Sequence, residues 1–235
     1  RVQVDALGRP KGELGNRPPS AGANLRLSLD AALQATGEAA LRASGRPSAF
    51  VAMNARTGAV LAMGSYPTFD PAFYVKPRTQ AEYRALENRG NAPLLNRADQ
   101  GGYPTGSAFK PIVATAALEE GLVAPDEFVY DGGALSVGGV VFQNAGGAVN
   151  GAIAMSDALK VSSDVYFYRL GAEASAHGRH GQIQDWARSY GIGRKTGIDL
   201  PDEEAGLLPT PAWRNRVFHK KSNPYIDRPW TTGDN

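Results

Sequence analysis

Hydrophobic and polar positions along the chain divide it into short amphipathic segments separated by glycine and proline. Behind Asp30, a residue suited to cap a helix, Leu33, Ala40 and Leu41 recur at helical spacing, which predicts a helix over 31–43. Two apolar runs follow, Phe50 to Asn54 and Val60 to Met63, joined by Arg56-Thr57-Gly58; such a pair predicts a β-hairpin. Residues 65–104 show no sustained period and read as one long connection, a feature often tied to function. Phe109, Val113, Ala116 and Ala117 then line one face of a predicted helix over 107–120, closed by Gly121. Pro111 fits only near the start of that helix, because proline lacks the N–H used deeper in. Helices are predicted again at about 153–160, 164–175 and 182–190, the last stopped by Gly191. Residues 1–24, dense in Gly, Pro, Arg and Asn, read as a linker or the end of an upstream region, and residues 25–235 as one domain. From Leu207 onward the pattern is irregular and basic (Arg214, Arg216, Lys220, Lys221, Arg228) and reads as a surface loop. A hairpin followed mostly by helices predicts an α+β fold, a sheet covered by a helical layer.

Composition narrows the possible chemistry. The 235 residues carry 25 basic and 23 acidic side chains, a net charge of +2, which argues against a dedicated nucleic-acid binder with its strongly basic stripe. With no cysteine, disulfides, thiolate metal sites and a cysteine nucleophile are excluded. No apolar run approaches the length of a membrane span. His177 and His180 sit three apart in a polar, turn-like stretch without an obvious third ligand, so they read as solvated loop histidines rather than zinc ligands. Trp186, Trp213 and Trp230 read as packing residues, and the run at Lys220-Lys221 as a solvated basic face.

Ser107 and Lys110, three apart at the start of the 107–120 helix, fall on one face. A serine hydroxyl is a poor nucleophile until a neighbouring base takes its proton, and a neutral lysine can be that base. The helix N-terminus adds backbone N–H groups and the positive end of its dipole, which favour a developing oxyanion. Chance supplies Ser-x-x-Lys often enough that the pair alone says little.

Its surroundings say more. Tyr103-Pro104-Thr105-Gly106-Ser107-Ala108-Phe109-Lys110-Pro111 resembles the active-site signature of class B penicillin-binding proteins, the bacterial cell-wall transpeptidases. Ser162-Ser163-Asp164, between two predicted helices, fills the place of the family's Ser-x-Asn element. Asp in place of Asn tilts the resemblance toward the elongation-type penicillin-binding protein 2 branch. Gly22 to Asp30 with Leu33-Gln34 is similar to the start of that transpeptidase domain, and Thr196-Gly197-Ile198-Asp199-Leu200-Pro201 to a later segment. Lys195-Thr196-Gly197 carries the letters of the third element, but no β-branched run leads into it, and in the family that strand comes later than residue 235. Lys195 is therefore read as a decoy.

The resemblance implies the serine penicillin-recognising, β-lactamase-like transpeptidase fold, an antiparallel sheet flanked by helices, here truncated at the C-terminus. It implies acyl transfer: Ser107 attacks the bond between the terminal D-alanines of a peptidoglycan stem peptide, Lys110 takes its proton, Ser162 relays a proton to the leaving amine, and Asp164 orients Lys110 or the substrate amide. Ser107, Ser162 and Asp164 would also contact β-lactams. No metal or organic cofactor is implied. The implied partners are stem peptides, β-lactam antibiotics and a membrane glycan polymerase of the elongation machinery. The chain is read as the middle of a membrane-anchored protein on the extracytoplasmic side of a bacterial cell, with its anchor and third motif outside residues 1–235, so that these residues alone would bind penicillin weakly or not at all. Two rivals stay open: a non-catalytic penicillin-binding scaffold or sensor, and a serine β-lactamase.

Overall fold

The computed structural model describes residues 2–13, 20–87, 90–177 and 181–217. His180, Trp230, Lys220, Lys221 and Arg228 lie outside them. The architecture is α+β, and its strands pair antiparallel in four two-stranded ladders among the described residues, rather than in one continuous sheet.

The first ladder, β1 (Val2–Val4) with β2 (Pro10–Glu13), lies within the stretch that reads as linker. Helix α1 (Ala31–Ser44) begins where the sequence places it: the Asp30 carboxylate accepts from Leu33 N at 2.9 Å, and Gly45 ends the helix in the left-handed conformation. Its packed face differs from the predicted one. Leu41 is buried but Leu33 and Ala40 are exposed, and Gly37 instead lets the Phe50 ring approach the helix backbone. A Cβ at Gly37 would stand 2.1 Å from Phe50 Cζ, so the glycine sets how closely helix and hairpin meet. That hairpin is β3 (Ser48–Met53) with β4 (Val60–Tyr66), Phe50 paired to Gly64.

The segment 65–104 is not wholly irregular. A single 3-10 turn, Pro71–Val75, precedes helix α2 (Gln80–Glu87). The helix forms because Thr79 and Glu82 cap it reciprocally: Glu82 Oε2 accepts from Thr79 N at 2.8 Å, and Thr79 Oγ1 accepts from Glu82 N at 3.3 Å. Thr79-Gln80-Ala81-Glu82 carries that signature in the sequence; too few apolar residues follow it to give a period.

The predicted 107–120 helix is divided. A 3-10 turn, Gly106–Phe109, feeds α3 (Lys110–Glu119), with Pro111 in its first turn. Next come β5 (Val129–Asp131), β6 (Ala134–Val137), β7 (Val140–Gln143) and β8 (Gly151–Ile153); β5 pairs with β8 and β6 with β7. Gly138 and Gly139, both at positive φ, make the two-residue β6–β7 turn. Helices α4 (Met155–Lys160), α5 (Asp164–Ala176) and α6 (Gln182–Ser189) follow. The basic stretch after Leu207 is not all surface loop. Helix α7 (Pro211–Val217) forms there, with Thr210 Oγ1 accepting from Trp213 N at 3.1 Å, and Arg214 is buried.

A core joins α3, the β5–β8 ladder, α4 and α5. Ala114 and Ala117 of α3 pack with Val129, Ile153, Met155, Ala158 and, from α5, Tyr166, Phe167 and Leu170. Alanines on α3 allow close helix contact, while Tyr166 and Leu170 fill the space between the helices and the β5–β8 ladder. Trp186 of α6 adds a polar tie, donating through Nε1 to Glu120 at 3.1 Å. The packing of α3 on α4 and α5 brings the first turn of α3 to the α4–α5 junction, 52 residues away.

Candidate active site

Lys110 stands at the centre. Its side chain is almost buried, yet all three ammonium hydrogens have acceptors: Ser162 O at 2.5 Å, Ser162 Oγ at 3.0 Å and Asp164 Oδ1 at 2.6 Å. The Phe167 ring lies 5.8 Å from Nζ and covers the lysine from the core side. Three of the four residues singled out from the sequence are thus in direct contact.

Ser107 is placed differently. It sits in the 3-10 turn, where residues three apart eclipse one another, and its carbonyl accepts from Lys110 N. Its side chain is exposed and makes no hydrogen bond to Lys110 Nζ, whose donors are all directed at the α4–α5 junction. Both residues line a cavity of about 320 Å³, together with Asp164, Phe167 and Tyr168. The Tyr168 hydroxyl is pushed above its ordinary pKa by burial and by the Asp164 charge, which keeps it a neutral donor at the wall. Ser162 does not line this cavity and is exposed.

The α4–α5 junction is built by a helix stop and a helix start that share residues. Val161 ends α4; Ser162 N donates to Leu159 O at 3.2 Å and Ser163 N to Ala158 O at 2.9 Å. This is a Schellman stop, and its left-handed position, normally glycine, is held by Ser162 with φ 56°. A β-carbon there costs energy, and strain of this kind gathers at functional sites. Ser163 then caps α5, accepting from Tyr166 N at 3.0 Å.

Two residues that sequence reasoning did not single out support this junction. Asp131, at the end of β5, is fully buried and accepts from Gly133 N, Asn144 Nδ2, Asn150 Nδ2 and Ser163 Oγ. Burial works against its ionised form, but the bonds from Asn150, Ser163, Gly133 and Asn144 outweigh it and hold the carboxyl below the usual range. Asn144 Oδ1 accepts from Asp164 N at 2.8 Å and Val165 N at 2.9 Å.

Lys195-Thr196-Gly197 forms no strand. Thr196 N, Thr196 Oγ1 and Gly197 N all donate to the Glu203 carboxylate, closing a local turn, and the segment does not line the Ser107 cavity. His177 ends α5 with its ring against Glu173 O, and among the described residues no three acidic or histidine side chains converge as a metal site.

Residues 48–225 match the penicillin binding protein transpeptidase domain family. The chain is 36% identical over 222 residues to peptidoglycan D,D-transpeptidase MrdA of Acinetobacter baumannii, covering 94% of this chain and 32% of that protein. Among solved structures it is similar to PBP2 of Helicobacter pylori in complex with MreC, with TM-score 0.79 and 30% identity over 99% of this chain and 41% of that one. It is also similar to a chain of a peptidoglycan synthase complex solved to explain how polymerization and crosslinking are coordinated, with TM-score 0.76 and 32% identity over 99% of this chain and 41% of that one. The chain spans about a third of the length of the curated relatives it matches.

Proposed function

The chain belongs to the penicillin-binding protein transpeptidase domain family, and from that premise we propose that it carries the acylating part of a peptidoglycan D,D-transpeptidase. The observation that carries this reading is the convergence of Lys110, from the Ser-x-x-Lys element, on Ser162 and Asp164 of the second element. Neither motif requires the other in sequence; both are required for acyl transfer.

In the proposed reaction Ser107 Oγ bonds to the carbonyl carbon between two terminal D-alanines. The C–N bond to the last D-alanine breaks and an acyl-enzyme forms. Lys110 Nζ, held by Ser162 and by Asp164 Oδ1 at 2.6 Å, takes the proton from Ser107. The proton taken from Ser107 travels through Lys110 to Ser162 Oγ, 3.0 Å from Nζ, and from there to the departing amine. The amine of a second stem peptide then attacks the ester, forming the cross-link and returning the proton to Ser107. The Ser107 backbone N–H, at the head of the turn that leads into α3, is one oxyanion donor. A β-lactam mimics the scissile peptide and stops at the acyl-enzyme.

The likeness to MrdA and to PBP2 structures supports a place in wall elongation, with stem peptides as substrate and a membrane glycan polymerase as partner, acting on the extracytoplasmic side of a bacterial cell. The test is labelling of the full-length protein with a fluorescent penicillin, with residues 1–235 alone labelling weakly or not at all. A stable adduct mapped to Ser107 and lost in Ser107→Ala is expected. Fast release of the label would replace the transpeptidase by a β-lactamase, and absence of any adduct would leave a scaffold.

A further inference from the structure

Every hydrogen bond that fixes the start of α5 leads back to one buried carboxylate. Asp131 Oδ2 accepts the single proton of Ser163 Oγ at 2.6 Å, so the hydroxyl's lone pairs turn toward Tyr166 N. The Asn144 amide is oriented the same way. Its Nδ2 spends its two hydrogens on Asp131, at 2.8 Å, and on Ala148 O, at 2.7 Å. Its carbonyl is thereby left facing Asp164 N and Val165 N. Three amides of the first turn of α5, normally left without intrahelical partners, are thus held by two side chains that Asp131 aims. Asp164, whose carboxylate grips Lys110, is the first residue of that turn, and Ser162 immediately precedes its cap. Asn150 Nδ2 also donates to Asp131, at 2.6 Å, but makes no hydrogen bond to α5.

We propose that Asp131, acting through Asn144 and Ser163, is a positioning residue for acyl transfer: it fixes Ser162 and Asp164 against Lys110 without touching substrate. The proposal rests on the acyl-transfer reading above. Asp131, Asn144 and Ser163 arrive from the end of β5, the end of β7 and the α4–α5 junction, so the device joins a ladder to the catalytic helix pair. If Asn144 or Ser163 lost its orientation, the strained Ser162 backbone would be free to relax, and Lys110 would lose two of its acceptors together.

The test compares variants of the full-length protein in single-turnover acylation by a penicillin, reading the rate constant and the final labelled fraction separately. Asp131→Asn and Asn144→Ala are expected to slow the rate constant about tenfold or more, since small misplacements of reacting groups have effects of that size. Asn150→Ala, which removes a donor to Asp131 but no hydrogen bond to α5, should stay within about threefold of the natural protein, as expected of a group outside the reacting constellation. A purely structural Asp131 would lower the labelled fraction and the melting temperature while leaving the rate constant of the labelled molecules unchanged; that result overturns the proposal. Should Asp131→Asn not fold, equal rates for Asn144→Ala and Asn150→Ala overturn it instead. A natural protein that never labels at Ser107 strikes the underlying reading, whereas one that labels beside variants of undiminished rate strikes only this inference.

Discussion

The two walls of the site are built in opposite ways. On the α5 side every first-turn amide from Asp164 to Tyr166 has a side-chain acceptor, and the capping residue is itself held by a buried carboxylate. On the Ser107 side neither the 3-10 turn nor α3 has a side-chain cap, and Ser107 is exposed and unbonded through its hydroxyl. The lysine grows from the loosely held wall but is docked on the firm one. Such a division suits the proposed acyl transfer. In that reaction the groups proposed to handle protons would have to keep their geometry through both half-reactions, whereas the proposed nucleophile would have to accept, carry and release a bulky acyl group.

Cutting the link between the walls tests the contrast most severely. Lys110→Met keeps the length and apolar stem of the side chain but removes the amine. Acylation should fall about a thousandfold, the scale of a lost general base. Asp164 stays partly open to water, so the fold should survive, checked by circular dichroism beside the labelling assay.

Ser162→Gly separates the strain from the chemistry on the firm wall. Glycine adopts the left-handed position freely, so Ser162→Gly should be about 1 kcal/mol more stable than Ser162→Ala, both variants lacking the hydroxyl that accepts from Lys110. Acylation should fall about a hundredfold in both through loss of the relay hydroxyl. A higher melting temperature for the glycine variant at an equally reduced rate is the signature to look for. Equal stability of the two variants would mean that the junction stores no strain.

The capping contrast predicts a smaller pair of effects. Ser163→Ala removes a cap and a donor to Asp131 and should destabilise by about 1–2 kcal/mol. Thr105→Ala, at the start of the Ser107 turn, removes no cap bond and should change stability by less than about 0.5 kcal/mol. Denaturant unfolding of the two variants side by side measures both. Similar losses would show the two walls to be equally dependent on their caps.

What the sequence shows and what it conceals follows the same division. Ser107, Lys110, Ser162 and Asp164 stand out as candidates because local spacing and neighbouring letters carry the family resemblance, and the structure brings three of them into contact. The ends of α1 are legible too, because Asp30 and Gly45 act within one turn of it. Helix α2 and the Gly138-Gly139 turn had local signals, a reciprocal Thr79–Glu82 cap and paired glycines, which the search for apolar periods passes over. Asp131 and Asn144 had none. They lie 13 residues apart in a glycine-rich stretch, and their roles exist only once β5 pairs with β8 and the α4–α5 junction closes over them. Ser163 looks like a spacer in its motif, since its partner Asp131 is 32 residues upstream. The packed face of α1 departs from its apolar pattern for a related reason: Gly37, not a large apolar residue, marks where the hairpin docks.

The firm wall should also leave a mark on acid stability, the least of the expected effects because it is one carboxylate's share. Asp131 holds its proton less readily in the folded state than in the unfolded chain, because four donors favour the ionised form more than burial opposes it. A group with a depressed folded value contributes stability above the unfolded carboxyl range, near about pH 4, and that stability drains away as pH falls toward the folded value. Between neutral pH and about pH 3 the natural protein should therefore lose more stability than Asp131→Asn does, although the variant starts lower. Parallel curves of melting temperature against pH would mean that Asp131 binds its proton equally well in the folded and unfolded states. Its bonds to Asn144 and Ser163 would then do no more than offset burial, and the firmness of the α5 wall would have to come from the apolar packing of Tyr166 and Leu170 beneath it.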